Sequence, residues 1–502
     1  MSEHPHPTDP APTEAPRSIA LHPAVRPGAI IAWIVVLGMA LFLAVLQNVG
    51  APGDEPDPVD VLLPEPQDVS GFMGRYMGRA ALMQRSLGMN SAASTFGGDP
   101  VEQITESVGD SFVEQLRITP AVGELAGAEA TLEHLDGLRE RLSEIEAELE
   151  ADNAFDEAAR QRVLDYGEDL TTLRAIYAQT EDAPITIDDA QRDNIIDRHG
   201  WSAELALTFG LDDDDPARAP FIAQGQRMLI ALGVALLVVG LALITGFVLF
   251  IIGIVMLSKG RLKSAYRELV GPRVQQGGST HSAFLEAFAL FIVALLLLPI
   301  VDMALGSPLG PHVLWFSLAL LAWPIVRGVP MRDTLRGFGW TPGRNVFIEV
   351  GAGFVGYIAG LPLVLVGLLT TVILMALSTW LLPGDGAPPS HPAVEQLVGG
   401  SGLPWGTLIL GVAWAPIVEE TFFRGALQHH LRQRFGFLFS AVSIAVIFAM
   451  IHPQGWVAIP ALSSLAIVFS LLREWRGSII APIVAHAINN GFIFTMLIFA
   501  MG

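Results

Sequence analysis

Long apolar runs alternate with short polar stretches along this chain, near 29–47, 228–257, 283–304, 313–327, 347–382, 405–427 and 478–500. Each approaches or exceeds the roughly 17–25 residues a helix needs to cross hydrocarbon. Two shorter runs lie at 437–451 and 457–472. The pattern predicts an all-α, polytopic transmembrane helix bundle of about nine spans. The 347–382 run is too long for one straight span, and Pro362 offers a kink or break. Between the first two runs the periodicity changes. Leu135, Leu138, Leu142, Ile145 and Leu149 alternate spacings of three and four, the seam of a paired helix. Asp152-Asn153 interrupts it, and a second helical pattern runs to Tyr177. Residues 51–226 are therefore expected to form an α-rich soluble insert built around a helical hairpin.

Composition sharpens that division. The chain has 502 residues, 51% of them hydrophobic, and a net charge of −21. The charge is unevenly spread: 51–226 holds 37 of the 50 acidic residues but only 12 of the 29 basic ones. An acidic insert is thus joined to a mildly basic membrane body, and nothing in the pattern suits nucleic acid. The absence of cysteine excludes thiol nucleophiles, thiolate metal sites and disulfides. The run Asp212–Asp215 lacks the glycine and terminal glutamate of a calcium loop and is expected to be a solvated acidic stretch.

Basic residues cluster after alternate spans. Lys259, Arg261, Lys263, Arg267 and Arg273 follow the second; Arg327, Arg332, Arg336 and Arg344 the fourth; Arg432 and Arg434 the sixth; Arg473 and Arg476 the eighth. Loops 305–312, 383–404 and 453–456 have no Lys or Arg. The positive-inside rule then puts the N-terminus inside and the insert outside. The expected order is a Pro-rich disordered tail (1–28), an anchor (29–47), the insert (51–226), a second span with its basic loop (228–282) and a helical membrane domain (283–502).

Charges inside apolar runs cost roughly 3 kcal/mol each at the bilayer centre, so they mark sites that pair or do work. Glu419, Glu420 and Arg424 lie in the 405–427 run, Phe448 and His452 at the end of the next, and His486 with Asn490 in the last. Glu420 and Arg424 are four apart, on one helical face and oriented as an ion pair. Glu419 is rotated by about 100° and is free to face a cavity as a general base. Phe448 and His452 share a face, as do His486 and Asn490, an imidazole and an amide suited to holding a carbonyl oxygen. By residue type alone, plainer roles stay open: a structural ion pair, a helix-capping His452, and interhelical hydrogen bonds from His486 and Asn490. His429 and His430 read as interfacial. Glu286, Asp302 and Glu349 lie near apolar runs and receive no role, although Glu349 could face the cavity.

Glu419-Glu420-x-x-x-Arg424, Phe448-x-x-x-His452 and His486-x-x-x-Asn490 resemble, in order and membrane setting, the three motifs of the CPBP family. These are the type II CAAX prenyl endopeptidases and the bacteriocin-processing or immunity proteins. GSIIAPIVAHAINN (477–490) is similar to the family's approach to its third motif, and the resemblance covers about 285–500. It implies a glutamate-dependent intramembrane endopeptidase. Glu419 and His452 would activate water, His486 and Asn490 would stabilise the oxyanion, and Glu420 with Arg424, supported by Phe448, would order the first motif. No cofactor is implied. A zinc-dependent metalloendopeptidase stays open, because Glu419, His452 and His486 are the ligand types of a His₂Glu site. A non-catalytic membrane scaffold or immunity protein is the other alternative. A transporter lacks inverted repeats to support it.

The implied partners are the lipid bilayer, a membrane-associated peptide or protein substrate, and a protein partner for the acidic insert. The expected location is multi-pass in a bacterial inner or plasma membrane. One tension concerns depth. On a straight helix from Phe437, His452 lies ~20 Å in, and only a tilted or re-entrant pair of short segments returns it to Glu419.

Overall fold

The computed structural model describes residues 26–46, 58–65, 71–88, 100–109, 111–151, 155–179, 187–266, 282–306, 309–381 and 405–501. Among these residues every regular element is helical. The chain is an all-α polytopic protein, as its apolar pattern predicts. The tail up to residue 25, the interruption at Asp152-Asn153, Arg267, Arg273 and the loop 383–404 lie outside the described residues, as does the start of the 51–226 insert up to residue 57. Contacts divide the chain into two compact units. One comprises Met1–Gly50, Ala242–Ser390 and Gly406–Gly491; the other comprises Ala51–Leu241, His391–Trp405 and Phe492–Gly502.

The helices follow in order: α1 (Arg26–Leu46), α2 (Pro58–Leu62), α3 (Phe72–Ser86), α4 (Pro100–Val108), α5 (Phe112–Ala151), α6 (Glu157–Tyr177), α7 (Asp189–His199), α8 (Trp201–Ala206) and α9 (Ala219–Ser258). After them come α10 (Ser282–Ala304), a 3-10 helix (Gly310–Ala322), α11 (Trp323–Val326), α12 (Met331–Phe338) and α13 (Val346–Leu381). The last four are α14 (Trp405–Arg432), α15 (Phe437–Met450), α16 (Ile459–Arg476) and α17 (Ile480–Met501).

In the acidic unit, the seam residues Leu135, Leu138, Leu142, Ile145 and Leu149 of α5 are all buried against Tyr166, Leu170, Leu173 and Ile176 of α6. The hairpin that the alternating spacing predicts is present. α5 changes direction at Gly127, whose φ of 83° favours glycine. Acidic residues here serve arginines. Glu124 holds Arg218 through two bonds of 2.7 and 2.8 Å, with both side chains almost fully buried. Asp169, fully buried, holds Arg198 and His199. Asp213, from the run expected to be solvated, pairs with Arg85 at 3.0 Å and Arg218 at 3.3 Å.

Among the described residues, six helices are long and apolar enough to cross a bilayer, and three shorter apolar helices accompany them: His312–Val326, Phe437–Met450 and Ile480–Met496. α1 buries Ala32, Val36 and Ala40, four residues apart, in a cluster with Phe284, Phe288 and Phe291 of α10. The 347–382 run does not break at Pro362, because α13 is one 36-residue helix. At ~1.5 Å per residue it is ~54 Å long, well beyond a ~30 Å hydrocarbon core. Proline removes the N–H that Ile358 O would accept. That carbonyl faces Gly246 of α9, where an added Cβ would lie 2.5 Å away. A neighbouring helix thus covers the gap and lets the proline stay. On either side of Pro362, Gly353, Gly356, Gly360 and Gly367 let α13 approach its neighbours; a Cβ at these positions would collide with Ala481 O, Leu472, Val468 and Ser464 respectively. Small residues allow such packing where no hydrophobic force brings helices together.

Several ionisable groups at the helix ends are matched, whereas Asp302, near the end of α10, is buried with its Oδ1 unpartnered among the described residues. Arg432 binds Glu474 (2.8 and 2.9 Å), and Arg476 binds Glu349 (2.7 and 2.8 Å). Arg473, with no exposed surface, donates to the carbonyls of Gly337 and Gly477. Three arginines counted for orientation therefore work inside the protein, and Glu349 faces Arg476, not a cavity. Glu286 accepts from Ser282 and Trp323 and pairs with Arg327 at 2.8 Å. His429 and His430 are buried, not interfacial, His429 against Tyr266 and Phe284.

Burial makes Glu124 the telling site in the acidic unit. Glu124→Leu should lower unfolding stability by about 3 kcal/mol, because it strands a buried guanidinium. Arg141→Ala, which breaks exposed pairs with Glu144 and Glu148, should change it by less than about 1 kcal/mol. Thermal unfolding of the full chain in detergent checks both.

Candidate active site

Helix α14 carries both glutamates and is not wound uniformly. Leu410–Trp414 and Thr421–Leu427 are π-helical, and Ala415–Glu420 between them is α-helical. Pro416 accounts for the first wide turn: it has no N–H, and Ala415 N–H reaches back five residues to Leu410 O. Such π segments recur at functional sites because they redirect side chains without ending the helix. Glu419 and Glu420 sit at the junction, near the middle of the 28-residue helix. Since α14 continues to a buried Arg432, Glu419 lies 13 residues, or ~20 Å, from that end. This removes the mismatch in depth.

The two carboxylates have different surroundings. Glu420 is fully buried, and its Oε1 accepts from Arg424 at 3.0 Å and from His486 Nδ1 at 2.9 Å. Arg424, also fully buried, donates to Ala466 O at 3.1 Å. Its guanidinium lies 4.9, 5.2 and 5.7 Å from the ring centroids of Phe448, Phe469 and Phe423. A desolvated cation over aromatic faces gains from each ring. Phe448 also lies against the His452 ring at 4.2 Å, so it ties the ion pair to the second motif.

Glu419 faces the other way. Its side chain is 15% exposed, and its Oε2 has no hydrogen-bond partner among the described residues. His452 lies just past α15, in the turn leading to α16, with its Nε2 3.8 Å from Glu419 Oε2. Its Nδ1 meets Phe448 O at 2.5 Å. A carbonyl can only accept, so Nδ1 carries a proton, and Nε2 is the ring nitrogen that faces Glu419. The two short segments, α15 and α16, pack as a helical hairpin with His452 in the turn between them.

The third motif completes the cluster. The His486 ring stacks on Phe469 (4.9 Å, 18°), and its Nδ1 is engaged by Glu420. Asn490 Nδ2 donates to Gly411 O at 2.8 Å. Six of the seven motif residues therefore converge, with Glu420, Arg424, Phe448 and His486 forming a buried knot and Glu419 and His452 beside it, while Asn490 is bonded to Gly411, eight residues before Glu419 on α14. The His486–Glu420 bond has no sequence signal, since the partners are 66 residues apart. Among the described residues no group of three or more His, Asp or Glu side chains is arranged to hold a metal ion. His486 already spends one nitrogen on Glu420.

The class that follows is an integral membrane protein with a carboxylate–imidazole site inside its helical bundle. Residues 401–492 match the family model described as type II CAAX prenyl endopeptidase Rce1-like, so the chain carries a domain of that family. The match is narrower than the 285–500 resemblance but contains all seven motif residues. No curated protein and no solved structure matches the chain.

The knot yields a clear expectation. Arg424→Leu should prevent recovery of monodisperse protein in detergent, because it leaves Glu420 buried beside His486 without its cation, a loss of about 3–5 kcal/mol. Glu419→Gln should purify and melt like the wild type. Size-exclusion profiles and thermal melts distinguish these outcomes.

Proposed function

We propose that this protein is an intramembrane endopeptidase that hydrolyses peptide bonds of membrane-associated substrates with a glutamate-activated water. The observation that carries the reading is the contrast between the adjacent carboxylates. Glu420 is occupied by Arg424 and His486, whereas Glu419 faces an oriented imidazole across 3.8 Å. That gap exceeds a direct hydrogen bond and allows one water to bond both groups. The water oxygen would attack the scissile carbonyl carbon as Glu419 takes its proton. The same proton would then pass to the leaving amine as the C–N bond breaks.

Charge developing on the carbonyl oxygen needs donors placed beforehand. His486 Nε2 and the second N–H of Asn490 supply them. Nε2 donates once the ring carries its second proton, and in that state Glu419, Glu420, Arg424 and His486 sum to zero charge. A neutral cluster suits a site enclosed by hydrocarbon. In this reading the substrate enters from the lipid side, water and side chains suffice without a metal, and the acidic insert lies on the outer side, where it meets a protein partner.

The test is cleavage of fluorogenic peptides containing a membrane-spanning segment or a prenylated CAAX end, by detergent-purified protein. Glu419→Gln should lower kcat at least about 100-fold with the fold intact, and wild-type activity should persist in a strong chelator. No cleavage by either protein, with both folded, would shift the assignment to a scaffold, and full activity in Glu419→Gln would remove that glutamate from the chemistry. Loss of wild-type activity in chelator, with recovery on adding zinc, would shift it to the metalloprotease.

A further inference from the structure

Asn490 is one end of a directed hydrogen-bond relay. Tyr357 O–H, from α13, donates to Asn489 Oδ1 at 3.2 Å. Asn489 Nδ2 donates to Asn490 Oδ1 at 3.1 Å, and Asn490 Nδ2 donates to Gly411 O at 2.8 Å. Tyr357 and Asn489 are each 8% exposed. We propose that Tyr357 and Asn489 are positioning residues that fix the Asn490 carboxamide so that one N–H is left to meet the substrate's carbonyl oxygen. The proposal rests on the assignment of Asn490 as an oxyanion donor.

The direction of the relay is set at Gly411. In a helix its carbonyl would accept from the N–H four or five residues on. Ala415 N–H bonds to Leu410 O instead, and residue 416 is proline. A carbonyl without a donor inside a membrane protein is costly, and Asn490 supplies one. Because Gly411 O can only accept, the nitrogen side of the Asn490 amide must face it. Its oxygen then faces Asn489, whose own nitrogen must turn toward it. The Asn489 oxygen is left toward Tyr357, which has a proton to give. Reversing either amide would set acceptor against acceptor.

A carboxamide has two N–H bonds and turns easily about its last torsion. With Oδ1 and one N–H committed, the second N–H is the donor left, and its direction is set by the amide plane. Cutting the relay at Asn489 frees that plane while keeping the anchor at Gly411. Catalysis should then weaken without the donor being lost.

The experiment measures kcat and KM on the fluorogenic membrane peptide cleaved best by the wild type, for Asn489→Ala, Tyr357→Phe, the double variant, Asn490→Ala and Glu419→Gln. Removing an oxyanion donor outright costs about 100- to 1000-fold. Asn489→Ala should therefore lower kcat roughly 10- to 100-fold and Tyr357→Phe roughly three- to tenfold, both with KM unchanged. In the Asn489→Ala background, Tyr357→Phe should have no further effect, because the relay is already cut. Wild-type kcat in Tyr357→Phe, or independent additive losses, overturns the relay while an inactive Asn490→Ala leaves the active-site assignment standing. An active Glu419→Gln, or a wild type that cleaves no peptide, overturns that assignment and the relay with it. If Asn489→Ala does not fold, Tyr357→Phe decides alone, since it removes one oxygen and keeps the ring.

Discussion

The structure depends on one ion pair that water does not reach. Glu420 and Arg424 are both fully buried, and a charge pair in such a place gains little over apolar packing unless its remaining bonding capacity is filled. The partners the pair does find recruit the rest of the domain, although Glu420 Oε2 and Arg424 Nε have no hydrogen-bond partner among the described residues. Phe448 comes from α15, Ala466 O and Phe469 from α16, and His486 from α17. Four helices are thereby held to one point and one depth. What the pair supplies is register more than stability.

That commitment also separates two glutamates adjacent in the chain. Glu286, Glu349, Glu420 and Glu474 each face an arginine. Glu419 faces a histidine instead, at a distance that suits a shared proton-bearing molecule more than a salt bridge. The difference between a structural and a reactive carboxylate here is a difference of company, set by about 100° of helix rotation.

Much of this was legible from the residues alone, because lipid admits only backbone that bonds to itself and so turns each long apolar run into a helix. The α5 seam and the Glu420–Arg424 pair follow from local spacing, which a helix converts directly into contact. The rest depended on partners far away in sequence. Nothing near Arg432 or Arg476 announces Glu474 or Glu349, and nothing near Pro362 announces Gly246. His429 and His430 looked interfacial because polar residues at the end of an apolar run usually are, yet Tyr266 and Phe284 close over His429. Pro416 was a readable signal for the first wide turn. A regular helical wheel drawn through 405–432 hides it.

Those wide turns have a consequence of their own. A π turn holds more residues than the α turn it replaces, so it shifts the phase of everything after it along the axis. One such segment precedes Glu419 and Glu420, and another begins at Thr421. The aim of the two carboxylates is therefore stored in the number of residues upstream as much as in their identity. A side chain exchanged within 410–414 leaves that phase intact. A residue gained or lost there would turn the rest of α14 by about a quarter of a revolution and swing Glu419 away from His452, with every motif still spelled correctly.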